Sequence, residues 1–358
     1  MPFLLRRRRR GLRPLTEVTA GSSADDRELV ERIMTAYRRA TSSFAWDGSS
    51  MWTGIFEQHH AEIHQELLDG DLETVSRALR DPGSSNLFYG FDSLGPVSDP
   101  AKDPYAPYTS LITLDRLVSF GEALGAIRQD HPESYLHRAP RTFTADAVID
   151  SIEAAIGLEL SFPAPFPGER GLPSRRGVVV PRAVDALYQA WRVSKLVGSH
   201  KETARLVEIG GGLGRTALYA RAFGLLDYTL VDLPFTAVSS AYFLGRALGP
   251  DAIVCFGEES DDSDRRIKLI PPEAFFAAGA DYDLALNVDS LPEVGRETAQ
   301  RYLVEIAAHA GLFLSINHEG GAFTVRELLD EAGLAGQTQR FPSWIRPGYV
   351  EELLTLTP

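Results

Sequence analysis

The chain has 358 residues, 44% apolar and 24% charged, with 31 Gly, 22 Pro and one cysteine, Cys255. This is an ordinary globular composition with length for about two domains; no apolar run reaches the ~20 residues of a membrane span, and one thiol builds neither an internal disulfide nor a cysteine zinc site. The formal charge is −13, and subtracting the six arginines at Arg6 to Arg10 and Arg13 leaves −19 on the remainder, which argues against binding a phosphate backbone.

Residues 1–24 read as a disordered, Arg-rich tail. No apolar segment of secretory type follows Phe3, Leu4 and Leu5, so the expected location is cytoplasmic. From Asp25 to about Leu79 the pattern is helical, with Leu29, Ile33 and Met34 and then Ile55, Ile63, Leu67 and Leu68 at helical spacing. Asp81 to Pro107 is rich in turn formers. Helices are expected over Ser110 to Gln129 and Ala145 to Ile156. The Pro- and Gly-punctuated stretch from Phe162 to Pro181 reads as the connection between a helical cap or substrate domain (25–180) and a second domain (181–358).

The second domain opens with a helix, Ala183 to Val197. Apolar runs follow at Leu206–Ile209, Tyr228–Val231, Ala252–Phe256, Leu284–Val288 and Leu312–Ile316, each separated from the next by a helix-length segment. Strands alternating with helices predict an α/β fold with a parallel sheet. Thr338–Phe341 and Val350–Leu356 read as an antiparallel pair closing one edge, and Cys255 as inert packing in the third strand.

The first run leads into Gly210-Gly211-Gly212-Leu213-Gly214 and then a helix, the place where glycines let the backbone approach a ligand and a helix N-terminus offers unpaired N–H groups. A dinucleotide fingerprint requires its third glycine at 215, where this chain has Arg215. The pattern is instead Glu208-x-Gly210-x-Gly212-x-Gly214, with an acidic strand end that suits a cationic amine and not a pyrophosphate. Asp232 ends the next strand, where a carboxylate accepts hydrogen bonds from both hydroxyls of a ribose.

With these motifs the chain resembles the class I S-adenosylmethionine-dependent methyltransferases and, within them, the sugar O-methyltransferase family. The resemblance is carried by Leu87-Phe88-Tyr89-Gly90-Phe91-Asp92, Leu187-Tyr188-Gln189-Ala190-Trp191-Arg192, Val207 to Gly212, Val231-Asp232-Leu233-Pro234, Asn287 to Glu293, Ser315 to Glu319 and Arg346 to Glu352. It implies a Rossmann-like, seven-stranded, mostly parallel sheet ordered 3-2-1-4-5-7-6, a helical N-terminal domain, and S-adenosylmethionine lying across the ends of strands 1, 2 and 4. The expected cofactor contacts are Glu208, Gly210, Gly212, Gly214, Asp232, Leu233, Asn287, Tyr188 and Arg192.

Methyl transfer to a hydroxyl needs the acceptor held in line and its proton removed. His318 is the expected base because it titrates near neutrality, with Asp289 and Glu319 as the other candidates. Asn317, Glu293, Tyr89 and Phe91 are the expected substrate contacts. Some sugar methyltransferases hold Mg2+ through carboxylates after strands 4 and 5, a place that Asp289 and Glu319 fill here by sequence, but no metal is assigned. His60 and His64, one turn apart, read as a solvated helix face, and Trp46, Trp52, Phe88, Tyr89 and Phe91 as core more often than as a sugar platform.

The expected activity is O-methylation of a small-molecule acceptor, a sugar or glycosylated natural product, with no nucleic-acid or membrane partner and a homodimer as the candidate assembly. Two rivals stay open. One is attack on the methionine-side carbon of the cofactor, by cyclisation to azetidine-2-carboxylate or aminocarboxypropyl transfer with release of methylthioadenosine. The other is a non-catalytic, cofactor-binding regulatory protein.

Overall fold

The computed structural model describes residues 15–18, 26–83, 85–90, 92, 106–129, 141–261 and 265–356. Its N-terminal half is mostly helical: α1 (Arg27–Thr41), α2 (Met51–Ile55, continued by one π turn, Phe56–His60), α3 (Ala61–Asp69), α4 (Leu72–Arg80), α5 (Ala106–Ala123) and α6 (Ala145–Ile156). Local signals set the ends. Asp71 caps α4 by accepting from the Thr74 N–H at 3.2 Å, Thr144 caps α6, and Gly157 closes α6 in the left-handed conformation at φ 73°.

The connection read as a linker contains structure of its own. Strands β2 (Arg170–Ser174) and β3 (Gly177–Val179) form a hairpin, and β1 (Thr16–Glu17) pairs antiparallel with β2. The expected disordered tail is thus corrected at Thr16–Glu17, whose backbone groups bond to Arg170 and Gly171; most of residues 1–24 lies outside the described residues. At the hairpin turn Arg175 and Arg176 reach back to Asp150 and Glu153, which anchors it on α6.

Helix α7 (Pro181–Val197) begins the sheet-bearing half. Then come β4 (Arg205–Ile209), α8 (Arg215–Ala222), β5 (Asp227–Val231), α9 (Pro234–Leu248), β6 (Ile253–Val254), β7 (Ile267–Ile270), α10 (Pro272–Ala278), β8 (Tyr282–Val288), α11 (Arg296–His309), β9 (Ala310–His318), α12 (Val325–Glu331), β10 (Thr338–Pro342) and β11 (Tyr349–Thr355). The sheet runs β10-β11-β9-β8-β4-β5-β7-β6, parallel except for the β9-β11-β10 edge. The expected seven strands are corrected to eight. The Ala252–Phe256 run supplies only the two-residue edge strand β6, and β7, a four-residue run between Arg265-Arg266 and a Pro pair, takes the place beside β5. Cys255 lies just past β6, buried, its thiol pushed up to about 12 by burial.

The register positions the site. Ile209 of β4 stands level with Val231 of β5 and Asn287 of β8, so the residues that follow, Gly210, Asp232 and Val288, meet along one edge of the parallel sheet. The helical half and the sheet share one apolar core, from Leu29 and Ile33 on α1 through Tyr242 and Phe243 on α9 to Leu206 and Leu230. Buried Asp26 ties the halves, accepting from Arg80 Nε at 2.9 Å and from the Tyr242 hydroxyl at 2.6 Å. Arg32 grips Glu258 through two N–H groups.

Candidate functional site

An open cleft lies at this sheet edge, floored by the loop after β4 and the starts of the loops after β5 and β8. Gly210, at φ 76°, leaves β4 so close to the β8 loop that a Cβ would fall 2.2 Å from Ser290 Oγ. Gly212 and Gly214 also have positive φ, and Gly214 starts α8 from behind the loop, against Leu244. The chain therefore needs glycines here for the turn and for the approach of two loops.

Two carboxylates stand on either side of this loop. Glu208 is buried on β4, accepts a 2.8 Å bond from the Tyr228 hydroxyl, and is carried by burial to about 7. Asp232 accepts from the Gly212 N–H through Oδ2 and from the Leu233 N–H through Oδ1, both at 2.8 Å. Burial also raises it to about 7. Neither is paired with a cation among the described residues, so ionising them in the empty cleft is opposed by desolvation.

A third wall is helix α7. Arg182, Asp185 and Gln189 recur along one face and line the cleft. Beside them Arg346 bonds Asp289 Oδ2 at 2.6 Å and stands 3.8 Å from Asp185, which Arg116 also holds; the Tyr349 ring stacks on the Arg346 guanidinium at 3.6 Å. Asp289 sits at φ 61°, a left-handed conformation unfavourable for a residue other than glycine and sustained here by that ion pair. Arg215, read from the sequence only as a missing glycine, is buried at the start of α8 between Glu169 and Asp92, tying the interdomain connection and the Asp92 segment to the glycine loop.

The helical half closes the fourth side. Helix α2 docks on the β8 loop through Met51 N–H and Ser50 Oγ, both bonding the Glu293 carbonyl, while Asp47 accepts from Thr298 Oγ1 at 2.6 Å. Trp52 and Glu293 line the cleft. Burial first, and then the nearby Asp289 charge, raises Glu293 to about 7.

The structure thus brings Glu208, Gly210, Gly212, Asp232, Leu233, Asp289 and Glu293 together in the cleft, with Gly214 just behind. The remaining expected contacts are corrected. Asn287 is fully buried, its amide donating to the Ile209 carbonyl at 3.0 Å and accepting from Asn317, which is likewise enclosed; both stitch strand ends beneath the floor. Tyr188 and Arg192 instead hold the buried carboxylate of Glu351 on β11, at 2.5 and 3.1 Å.

His318 is not among the lining residues. It packs edge-on to Tyr349 and accepts from the Gly320 N–H, while Glu319 is spent on Arg340 at 2.8 Å. Strand β9 therefore points the expected base and its neighbour away from the cleft, and Asp289 with Glu319 does not form a metal site. Among the described residues no cluster of metal-ligating side chains is found. Tyr89 is half exposed and stacks on His59, outside the cleft lining; Phe91 lies outside the described residues.

The solvated face expected for His60 and His64 is also corrected. His60 is buried against Phe235 at a centroid distance of 4.1 Å and pushed down to about 4 by burial, and His64 bonds the Tyr37 hydroxyl. Arg182, Asp185, Gln189 and Trp52 were missed as site residues. A polar stripe on an otherwise apolar helix was the one available signal for the first three.

No protein-family model and no curated protein matches the chain. Solved structures do, over about half of it. The methyltransferase domain of a bacterial Hen1 is 13% identical, covering 48% of this chain and 97% of that one at a TM-score of 0.34. A glycopeptide N-methyltransferase complexed with sinefungin is 13% identical (48% and 94%, TM-score 0.35). The magnesium protoporphyrin IX methyltransferase of Synechocystis PCC 6803 with bound SAH is 12% identical (48% and 85%, TM-score 0.35). Likeness of this degree decides nothing about chemistry, which rests on the cleft. Among the described residues no helix is long and apolar enough to cross a membrane.

Proposed function

We propose that this chain binds S-adenosylmethionine in the cleft and transfers its methyl group to a hydroxyl of a small molecule, a sugar or glycosylated natural product. One observation carries the reading: Glu208 and Asp232 stand at neighbouring strand ends on either side of a glycine loop, buried and without a cationic partner. Such a site favours a ligand carrying positive charge and vicinal hydroxyls, and disfavours a pyrophosphate. Asp232 keeps lone pairs for a ribose beyond its two backbone bonds. When bound, the cofactor supplies an electrophilic methyl on a sulfonium.

The rest falls to the protein. Glu293 replaces His318 as the base: it faces the cleft, and a carboxyl titrating near 7 is half ionised at neutral pH and basic enough to take a proton as the hydroxyl attacks. Trp52 offers an apolar face beside the carboxylates Glu293 and Asp289, a combination suited to a polyhydroxylated acceptor. Helix α2, docked through Glu293, excludes water from that side.

Titration calorimetry with S-adenosylmethionine and, separately, NAD tests the cofactor. Binding of the first and not the second is expected; the reverse overturns the reading. Product analysis tests the reaction. S-adenosylhomocysteine that forms only when a glycoside acceptor is present supports methyl transfer, and enzyme-dependent methylthioadenosine from S-adenosylmethionine alone overturns it.

A further inference from the structure

The helical half holds residue 293 at two levels. Ser50 Oγ and the Met51 N–H reach its backbone carbonyl, at 3.3 and 3.4 Å, and the next residue of α2, Trp52, donates its indole N–H to the Glu293 carboxylate. Both side chains line the cleft. The two halves approach closely here: a Cβ on Gly295 would fall 2.0 Å from Ser49 Oγ and 2.3 Å from Asp47 Oδ2. The indole is itself seated. Gly90, at φ 98°, meets the edge of the six-membered ring remote from the nitrogen, where a Cβ would come within 2.9 Å of Cζ3 and 3.2 Å of Cη2. The Gly90 segment is anchored in turn, since the Asn86 carbonyl accepts from the Tyr89 N–H at 2.9 Å and from His60 Nε2 at 3.2 Å, and buried Phe88 packs edge-on to Phe166.

Every element packed round Glu293 bears on its charge. Burial and then the Asp289 carboxylate of its own loop disfavour the ionised form, as does Asp232 at the end of β5, while the Trp52 N–H and the Arg182 guanidinium of α7 favour it. Of these, Trp52 alone is a neutral group with a single polar atom, and that atom only donates. Its bond therefore exists with the carboxylate as acceptor and fixes where that oxygen points, which is what a group that must meet an attacking hydroxyl requires.

We propose that Trp52 is a positioning residue for the base, its indole N–H holding the Glu293 carboxylate in the cleft, so that the working base is assembled across the two halves of the chain. This rests on the reading of Glu293 as the base. The direction of a pH shift separates the role from mere packing. A ring that only covers Glu293 would, once reduced, admit water and make the carboxyl easier to ionise; a ring that holds the carboxylate through its N–H would, once that donor is gone, leave it harder to ionise.

The first test needs no acceptor. In the full chain labelled with 15N at its four tryptophans, the indole N–H signals are followed by NMR across the titration of Glu293. One signal, absent in Trp52→Phe, is expected to move downfield as Glu293 ionises and to stay still in Glu293→Gln. If no indole signal loses its pH response in Glu293→Gln, the inference is overturned, and this comparison stands even where Trp52→Phe does not fold. The second test is the pH profile of kcat/KM with a glycoside acceptor. Trp52→Phe is expected to carry the rising limb about half a unit to one unit toward alkaline pH, a loss of about three- to tenfold on the acid side relative to the variant's own alkaline plateau. A limb that stays in place or moves toward acid pH overturns the inference. If Glu293→Gln keeps the limb, the base reading itself has failed and takes the inference with it. A limb abolished in Glu293→Gln but unmoved in Trp52→Phe refutes the inference alone.

Discussion

Replacing Glu208 by glutamine should make the empty protein more stable and the loaded protein weaker. The buried carboxyl is carried from an ordinary 4.5 to about 7, chiefly by burial, and glutamine keeps an oxygen that accepts from Tyr228 without the charge. A group with a raised folded value stabilises the fold fully below 4.5 and loses that contribution as pH rises through about 7. Ionised and without a cationic partner, it costs about 3 kcal/mol.

The advantage of the glutamine variant should therefore be about 1 kcal/mol at pH 5.5 and about 3 kcal/mol at pH 8.5, a growth of about 2 kcal/mol. Urea unfolding of the cofactor-free chain, followed by tryptophan fluorescence at the two pH values, measures it. S-adenosylmethionine affinity should fall at least tenfold in the same variant, because the ligand then meets a dipole in place of a charge. A stability difference that stays constant between pH 5.5 and 8.5 would refute the reasoning, since it would mean that Glu208 ionises in the folded protein without penalty.

Asp232→Ala should weaken S-adenosylmethionine at least tenfold in calorimetry, on the order of 1.5 to 3 kcal/mol for a charged bidentate contact, and unchanged affinity in a folded variant would remove the ribose assignment. Gly210→Ala meets Ser290 Oγ at 2.2 Å from a backbone at φ 76°, so we expect at least about 1 to 3 kcal/mol of destabilisation in urea melts together with loss of cofactor binding. For the wild type, kcat/KM should rise with pH through about 7 as Glu293 ionises. Glu293→Gln should lower that parameter by about 10² to 10⁴ and abolish the limb. A limb that persists near pH 7 assigns the base elsewhere.

Much of the architecture follows from sequence because it depends on local pattern. The alternation of apolar runs with helix-length segments, the glycines at a strand-to-helix turn, and the acidic residues closing β4 and β5 are properties of neighbours along the chain. They suffice to place Glu208, Gly210, Gly212 and Asp232 at one sheet edge, since parallel strands in register bring their C-terminal ends level. Strand β7 escaped because four residues between charges and a proline pair carry too little periodicity, and the hairpin β2–β3 because proline and glycine in it read as linker.

What only the tertiary structure decided is the direction in which each polar side chain points. On α7, Arg182 and Asp185 line the cleft, whereas Tyr188 and Arg192 are taken up by a buried Glu351 contributed from more than 150 residues away, a partner that only the folded chain brings to the helix. At the end of β9, pairing with β11 sets His318 against Tyr349 and Glu319 against Arg340, so the imidazole expected from sequence to act as base is not among the residues that line the cleft. Glu293, the base we propose in its place, is raised to about 7 by burial, on the side where α2 docks against its loop. Burial is a property of the folded surface, and no single segment of the chain encodes it.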